Sequence, residues 1–202
     1  KGYHTPYGNV DPNCNQRYID IPIRYQRDIY ARNYTAYSIE KAGAKSEDVI
    51  ITSDADEIIN PLILQNMDWF DGYNHYVSLQ RTFYYQLNVL REEDWMGSRI
   101  CNWFKLRNTS VDQLRQSHQD SYRIEQGGWH WSYFGNVETI QQKMKACADS
   151  HHGSEDLPEK VDMGKDPVGR SDLYGAVPLD DSFPEYILNN QEKYSKFIKP
   201  WK

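Results

Sequence analysis

The sequence predicts an α/β fold, and three observations support that prediction. Short runs rich in β-branched and aromatic residues (Val49–Thr52, Tyr76–Leu79, Thr82–Tyr85, Ile100–Leu106) alternate with stretches whose apolar positions recur at helical spacing. At 202 residues the chain has the length of a single domain, residues 1–202, with room for a sizeable core. No apolar run approaches the ~20 residues a membrane-spanning helix needs, and no low-complexity tract interrupts the pattern.

Residues 1–15 are polar, rich in Pro and Asn, carry no signal-peptide pattern and read as loop. From Tyr25 to Ala42, Ile29, Tyr30, Tyr34 and Tyr37 keep a helical period that Gly43 ends, with Pro22 near the start. Val49–Thr52 is a strand that runs straight into Asp54-Ala55-Asp56-Glu57. Asn60-Pro61, a cap residue with proline at the first helical position, opens a short helix to about Asp68. Asp71-Gly72 is a turn; Tyr76–Leu79, Thr82–Tyr85 and Ile100–Leu106 follow as strands.

Gly127-Gly128 punctuates the chain before the aromatic block Trp129–Phe134, which is too bulky for a comfortable helix. Asn136 caps a helix from Val137 to about Ala148, with Ile140, Met144 and Cys147 along one face. Residues 150–184 read as long loops with room for one short helix. An amphipathic helix from Pro184 to Ile198 closes the chain.

Composition narrows the partners. Lys and Arg number 23 against 29 Asp and Glu, a net charge of −6 that argues against nucleic acid. Cys14, Cys101 and Cys147 form neither a zinc pattern nor a disulfide framework, and leave one disulfide or free thiols open. The 16 Tyr and 6 Trp combine apolar faces with polar handles, which suits sugar rings as well as a protein core.

Asp54-Ala55-Asp56-Glu57 places three carboxylates in four residues at the end of a strand. Their repulsion needs an offsetting charge, and a divalent cation is the usual one. In open α/β sheets that position is where ligands bind. A calcium loop counted from Asp54 would need Gly and Glu where Ile59 and Gln65 stand, so that identity fails. An aspartyl-phosphate phosphotransferase would need a later Gly-Asp-x-x-x-Asp motif, which is absent. A diphosphate-holding Asp-x-Asp motif remains, against a solvated acidic turn whose Glu57 caps the next helix.

A second constellation, Gly127-Gly128-Trp129-His130-Trp131-Ser132-Tyr133-Phe134-Gly135, combines close-approach glycines, stacking tryptophans and one imidazole able to ligate a metal. A buried strand with a hydrogen-bonded core histidine is the competing explanation. If the block is a strand, Trp129 and Trp131 share the face opposite His130.

Ser53-Asp54-Ala55-Asp56-Glu57-Ile58 followed by this block resembles family 17 of the glycosyltransferases. Tyr25-Gln26-Arg27-Asp28, Phe83-Tyr84-Tyr85, Ser150-His151-His152 with Glu155, and Phe183-Pro184-Glu185-Tyr186-Ile187-Leu188-Asn189-Asn190 extend the resemblance from about Arg17 to Ile198. The pattern departs where Ile59-Asn60 precedes Pro61. The resemblance implies a GT-A-like, Rossmann-type domain with a mixed central sheet. It also implies a first N-terminal strand that this chain would lack.

The activity so implied is metal-dependent, inverting transfer of a sugar onto a glycan or glycoprotein acceptor, with N-acetylglucosamine from UDP-N-acetylglucosamine as the expected donor. Mn²⁺ or Mg²⁺ is the implied cofactor. The alternative is a carbohydrate-binding pseudoenzyme without donor turnover.

The expected catalytic residues are Asp54, Asp56 and Glu57. Asp56 is expected on the metal, Asp54 on the metal or the donor ribose, and His130 as a further metal contact with His152 as its alternative. Glu57 competes with Asp120 and Glu125 as proton acceptor. Trp129 and Trp131 are expected to bind the acceptor, Trp129 ahead of Trp131, and Arg81 and Arg99 the diphosphate. The compartment stays open: Golgi lumen if a eukaryotic chain is anchored by a preceding segment, cytoplasm otherwise.

Overall fold

The computed structural model describes residues 23–117, 121–146, 156–167 and 174–201, with side chains from Asp28 onward. Helix α1 spans Ile23–Lys41, as the periodicity predicts, and Gly43 turns the chain at φ +85°. Strand β1 (Val49–Thr52) leads into the acidic turn, and a short strand β2 (Glu57–Ile59) follows where no strand was expected. Helix α2 (Leu62–Gln65) is a single turn, with Asn60 Oδ1 accepting the Leu62 amide at 3.0 Å.

The two strand runs at 76–85 are one strand, β3 (Tyr76–Tyr84), because Gln80-Arg81 between them holds no breaker. Strands β4 (Val89–Arg91) and β5 (Trp95–Asn102) follow. The strand expected over Ile100–Leu106 does not reach Leu106. Extended backbone stops at Asn102, whose side chain accepts the Lys105 amide at 2.8 Å and starts helix α3 (Trp103–Arg107). A cap residue inside an apolar run outweighs the run's strand propensity.

Helix α4 (Val111–Gln116) is capped by Ser110, whose Oγ accepts the Gln113 amide at 3.1 Å. Strand β6 (Tyr122–Ser132) carries Gly127-Gly128 within it rather than before it. In helix α5 (Val137–Ala146), Asn136 caps as expected and Ile140 and Met144 are buried, while Cys147 lies outside the described residues. Helix α6 (Leu157–Met163) fills the place of the one short helix, and strand β7 (Tyr174–Ala176) appears in a region read as loop.

The closing helix is broken into α7 (Glu185–Leu188), α8 (Gln191–Tyr194) and a 3-10 turn at Ser195–Phe197. Asn190 interrupts it, its side chain bonding the Tyr186 carbonyl at 2.7 Å in competition with helical pairing.

The seven strands among the described residues form one mixed sheet in the order β1-β5-β3-β4-β7, with β6 on the other edge of β3 and β2 beyond it. Of the six strand pairings described, only β3–β6 is parallel. Helix α1 packs through Ala36 onto Cys101, Trp103, Leu106, Val111 and Leu114. Burial pushes the Cys101 thiol up to about 12, against the opposing pull of Lys105, so it is chemically quiet.

A bulge interrupts the β3–β6 ladder between Ser78 and Gln80, where Gln126 takes φ +52° and Gly128 φ +146°. Asn60 clamps this bulge, its amide donating to the Gly127 carbonyl at 2.9 Å and its side chain to that of Gln126 at 3.0 Å. A Cβ on Gly128 would overlap the Ile58 carbonyl, so β2 can lie against β6 only if this residue is glycine. Gly128→Ala is expected to lose roughly 2 kcal/mol or more through strain and overpacking. A thermal melt reads this as a fall of at least about 4 °C for a chain of this size.

Candidate active site

Asp54–Glu57 is a tight turn joining β1 to β2, closed by the Glu57 amide donating to the Asp54 carbonyl at 3.0 Å. The Trp131 amide donates to the Asp56 carbonyl at 3.0 Å, and Glu57 stands opposite His130 in the β2–β6 ladder. The two motifs, far apart in sequence, are therefore strand neighbours. Trp129 and Trp131 do share a face, their rings stacked at 6.4 Å and 17°.

Glu57 has a fully buried side chain. Its Oε1 accepts Trp95 Nε1 at 2.7 Å and Arg115 Nη2 at 2.6 Å; its Oε2 accepts Arg115 Nη1 at 3.0 Å and the Asp54 amide at 3.3 Å. Four donors occupy the four lone-pair positions of one carboxylate. Such a group anchors the turn and has no position left with which to take a substrate proton.

Arg115 is the counterpart. Burial alone would lower its pKa, but the bonds and charge of Glu57, with Asp54 and Asp56, raise it above the usual value. Its Nη2 also lies 2.9 Å from Asp54 Oδ2, and its guanidinium 5.8 Å from the Trp95 ring centre. The far side of the motif is held by Arg32, at 3.4 Å from both Asp54 and Asp112.

Asp56 meets different partners. Lys143 Nζ, from α5, sits 2.7 Å from Oδ2, and His130 Nε2 lies 3.6 Å from Oδ1. Burial by itself raises the Asp56 pKa, but the hydrogen bonds and charges of His130 and Lys143 outweigh it and hold the carboxyl well below the usual range. His130 is buried and stacks on Trp95 at 4.9 Å, and among the described residues its Nδ1 has no hydrogen-bond partner.

The expected offset for the three carboxylates was a divalent cation. In this structure three side-chain cations, Arg32, Arg115 and Lys143, already face them. Among the described residues no three His, Cys, Asp or Glu side chains converge as a metal cage.

Trp95, Arg32, Arg115 and Lys143 carry no motif signal in the sequence. Lys143 is legible only as a polar position of α5, and Arg115 only as the last-turn cation of a short helix. His152 and Asp120 lie outside the described residues, and Glu125 is exposed on β6.

Arg99 stands apart from the expectation made for it. It is 1% exposed and donates to the carbonyls of Leu114 at 3.0 Å, Met96 at 2.9 Å, Arg115 at 2.7 Å and also Gly97. Burial and neighbouring Arg115 push its pKa down to about 10. It braces β5 against α4 from behind the site. Arg81 lies over Phe83 and Phe183 and bonds Ser182, on the Trp129 face of the sheet rather than beside Asp56. Trp129 is buried against Phe83 and Phe183, with Nε1 on the Ser182 carbonyl at 2.9 Å.

Two hollows flank the turn. One, of about 210 Å³, lies at the end of β1, where Arg32, Asp54 and Arg115 share the lining with Ile39, Ile51 and Val111. The other, of about 430 Å³, is almost wholly apolar and includes Ile58, Trp131, Phe134, Tyr186, Tyr194 and Phe197 in its lining. Of the two tryptophans it is thus Trp131, not Trp129, whose ring faces an open groove.

A charged turn at a strand end, flanked by a hollow of mixed charged and apolar lining and by an aromatic groove, suits a bound sugar donor and acceptor. A family model, Glycosyltransferase family 17, matches residues 15–197. The chain belongs to glycosyltransferase family 17. No curated protein and no solved structure gives a significant match. As a glycosyltransferase it moves a sugar from a donor to an acceptor, and no helix among the described residues is long and apolar enough to cross a membrane.

Proposed function

We propose that this family 17 glycosyltransferase is a GT-A-type, metal-dependent, inverting enzyme that takes N-acetylglucosamine from UDP-N-acetylglucosamine to a glycan acceptor. One observation carries the reading. Asp56 Oδ1 and His130 Nε2 stand 3.6 Å apart beside a strand end, while Lys143 holds the other Asp56 oxygen.

This donor pair fits a divalent ion. Mg²⁺ in phosphate-transfer sites is typically held by one or two carboxylates, with substrate phosphates and water completing its shell, so a closed protein cage is not needed. When bound, Mn²⁺ or Mg²⁺ would supply positive charge to the diphosphate as the sugar–phosphate bond breaks.

The chain's own residues divide the remaining work. Asp54, at the mouth of the 210 Å³ hollow, would take the ribose, and Arg32 on the same wall would face the nucleotide. The acceptor hydroxyl forms the new bond at the anomeric carbon, the diphosphate leaves with its electron pair, and the hydroxyl proton passes to a base. Glu57, saturated by four donors, is a positioning residue for Asp54 and Asp56 instead of that base. Trp131 would stack on an acceptor sugar in the apolar groove.

Calorimetric titration of the protein with UDP, with and without Mn²⁺, tests the reading. UDP is expected to bind at least tenfold more tightly when Mn²⁺ is present. Equal binding in the two titrations would remove the metal from the proposal.

A further inference from the structure

The charge balance of the acidic turn points to an ordered use of its cations. Asp54, Asp56 and Glu57 face Arg32, Arg115 and Lys143, and Asp112 shares Arg32, so all but one of these four negative charges are already met within the protein. A divalent ion added alone to this set would turn a half-buried site net positive. One arriving with a diphosphate brings compensating negative charge with it. We propose that Lys143 is the resident counter-ion of Asp56, excludes a divalent cation from the turn, and gives up Asp56 when cation and donor diphosphate arrive together.

Of the three cations only Lys143 is placed to move. Arg115 has a side chain 14% exposed, chelates Glu57 through two nitrogens and reaches Asp54 as well. Arg32 bridges Asp54 and Asp112. Lys143 is 40% exposed and holds Asp56 with one short contact, its second polar neighbour being Ser132 Oγ at 3.3 Å.

Its stem has four rotatable carbons and ends in a point charge, with no fork geometry to lose on turning away. Helix α5 keeps it close: Asn136 caps the helix, and the buried side chains of Ile140 and Met144 anchor it in the core. Released from Asp56, the ammonium would stay within reach of a diphosphate seated beside the turn. There Tyr133, whose ring centre lies 5.1 Å from Nζ, would still flank it.

This inference rests on the proposed metal-and-diphosphate site and is tested apart from catalysis. Mn²⁺ binding is measured by electron paramagnetic resonance and calorimetry, alone and with UDP, for the wild type, Lys143→Met and Lys143→Arg. The wild type is expected to bind Mn²⁺ weakly alone and at least tenfold more tightly with UDP. Lys143→Met is expected to bind Mn²⁺ alone at least tenfold more tightly than the wild type, and to lose most of the UDP synergy. Lys143→Arg, which keeps the charge, is expected to stay with the wild type.

If Lys143→Met binds Mn²⁺ alone within twofold of a wild type that does show synergy, the counter-ion role is overturned and the metal site stands. If no variant binds Mn²⁺ with or without UDP, the metal site itself falls and the inference with it. A matching thermal melt confirms that Lys143→Met is folded, as removal of a half-exposed lysine from one contact should allow.

Discussion

Arg115→Met is expected to lower the melting temperature by roughly 6 to 20 °C, because it strands a fully buried carboxylate. Breaking one side of a buried ion pair costs about 3–5 kcal/mol, most of it the penalty of leaving the other charge unpaired. Glu57 would keep only Trp95 and the Asp54 amide as donors. Glu57→Gln should be milder, since an amide keeps one oxygen for Trp95 or Arg115 and carries no charge. The double variant Arg115→Met/Glu57→Gln should recover part of the loss. Chemical denaturation of the four proteins closes the cycle, and additive effects would mean that the pair is not coupled. Such a result would also reopen Glu57 as the proton acceptor, since its saturation by donors depends on this pairing.

Asp56→Asn is expected to cost roughly 100- to 1000-fold in sugar transfer, the scale of losing one preorganised electrostatic group at a reacting centre. Its effect on folding should be small. The Asp56 pairs are part-exposed and worth about 1 kcal/mol or less, or at most about 4 °C in melting temperature. The acidic cluster offers little repulsion to relieve, because Arg32, Arg115 and Lys143 already face its carboxylates.

The pH dependence has a definite sign. The folded-state carboxyl lies below its ordinary value of 3.8, so the unfolded chain binds the proton first on acidification. The stability that Asp56 contributes is therefore complete above about pH 4 and is lost as the pH falls toward the folded-state value. Melting curves of the wild type and Asp56→Asn should differ at pH 6 and converge on acidification below pH 4. A gap that widened in acid would contradict the Lys143 and His130 pairing.

Much of the fold was legible because it is written in local chemistry. The period of Ile29, Tyr30, Tyr34 and Tyr37, the β-branched run at Val49, and the caps at Asn60 and Asn136 each act within a few residues. Structure and local propensity part where a single side chain overrides the run around it. Asn102 turned an apolar run into a helix, and Asn190 broke an amphipathic one. Gly127-Gly128 looked like punctuation and proved to be a bulge inside β6, a distinction that depends on the strand beside it.

The candidate site divides in the same way. Asp54, Asp56 and His130 stand out in sequence because carboxylates clustered at a strand end, and an imidazole among glycines and tryptophans, are chemically conspicuous. Arg115, Arg32, Trp95 and Lys143 are ordinary residues on ordinary elements. They matter only because β5, α1, α4 and α5 converge on one turn. The chemistry of a guanidinium suits Arg81 and Arg99 to a diphosphate, but packing places one on the Trp129 face and encloses the other in four carbonyls.

By itself the sequence determined the α/β character, the family, and the acidic turn followed by an aromatic strand. It did so because these depend on residue type and near-neighbour spacing. Only the tertiary structure decided how the turn's charge is balanced and which of its carboxylates is free to act. Partners at hydrogen-bonding distance are set by the packing of distant elements, and in a half-buried site those partners govern whether a carboxylate anchors the backbone or meets a ligand.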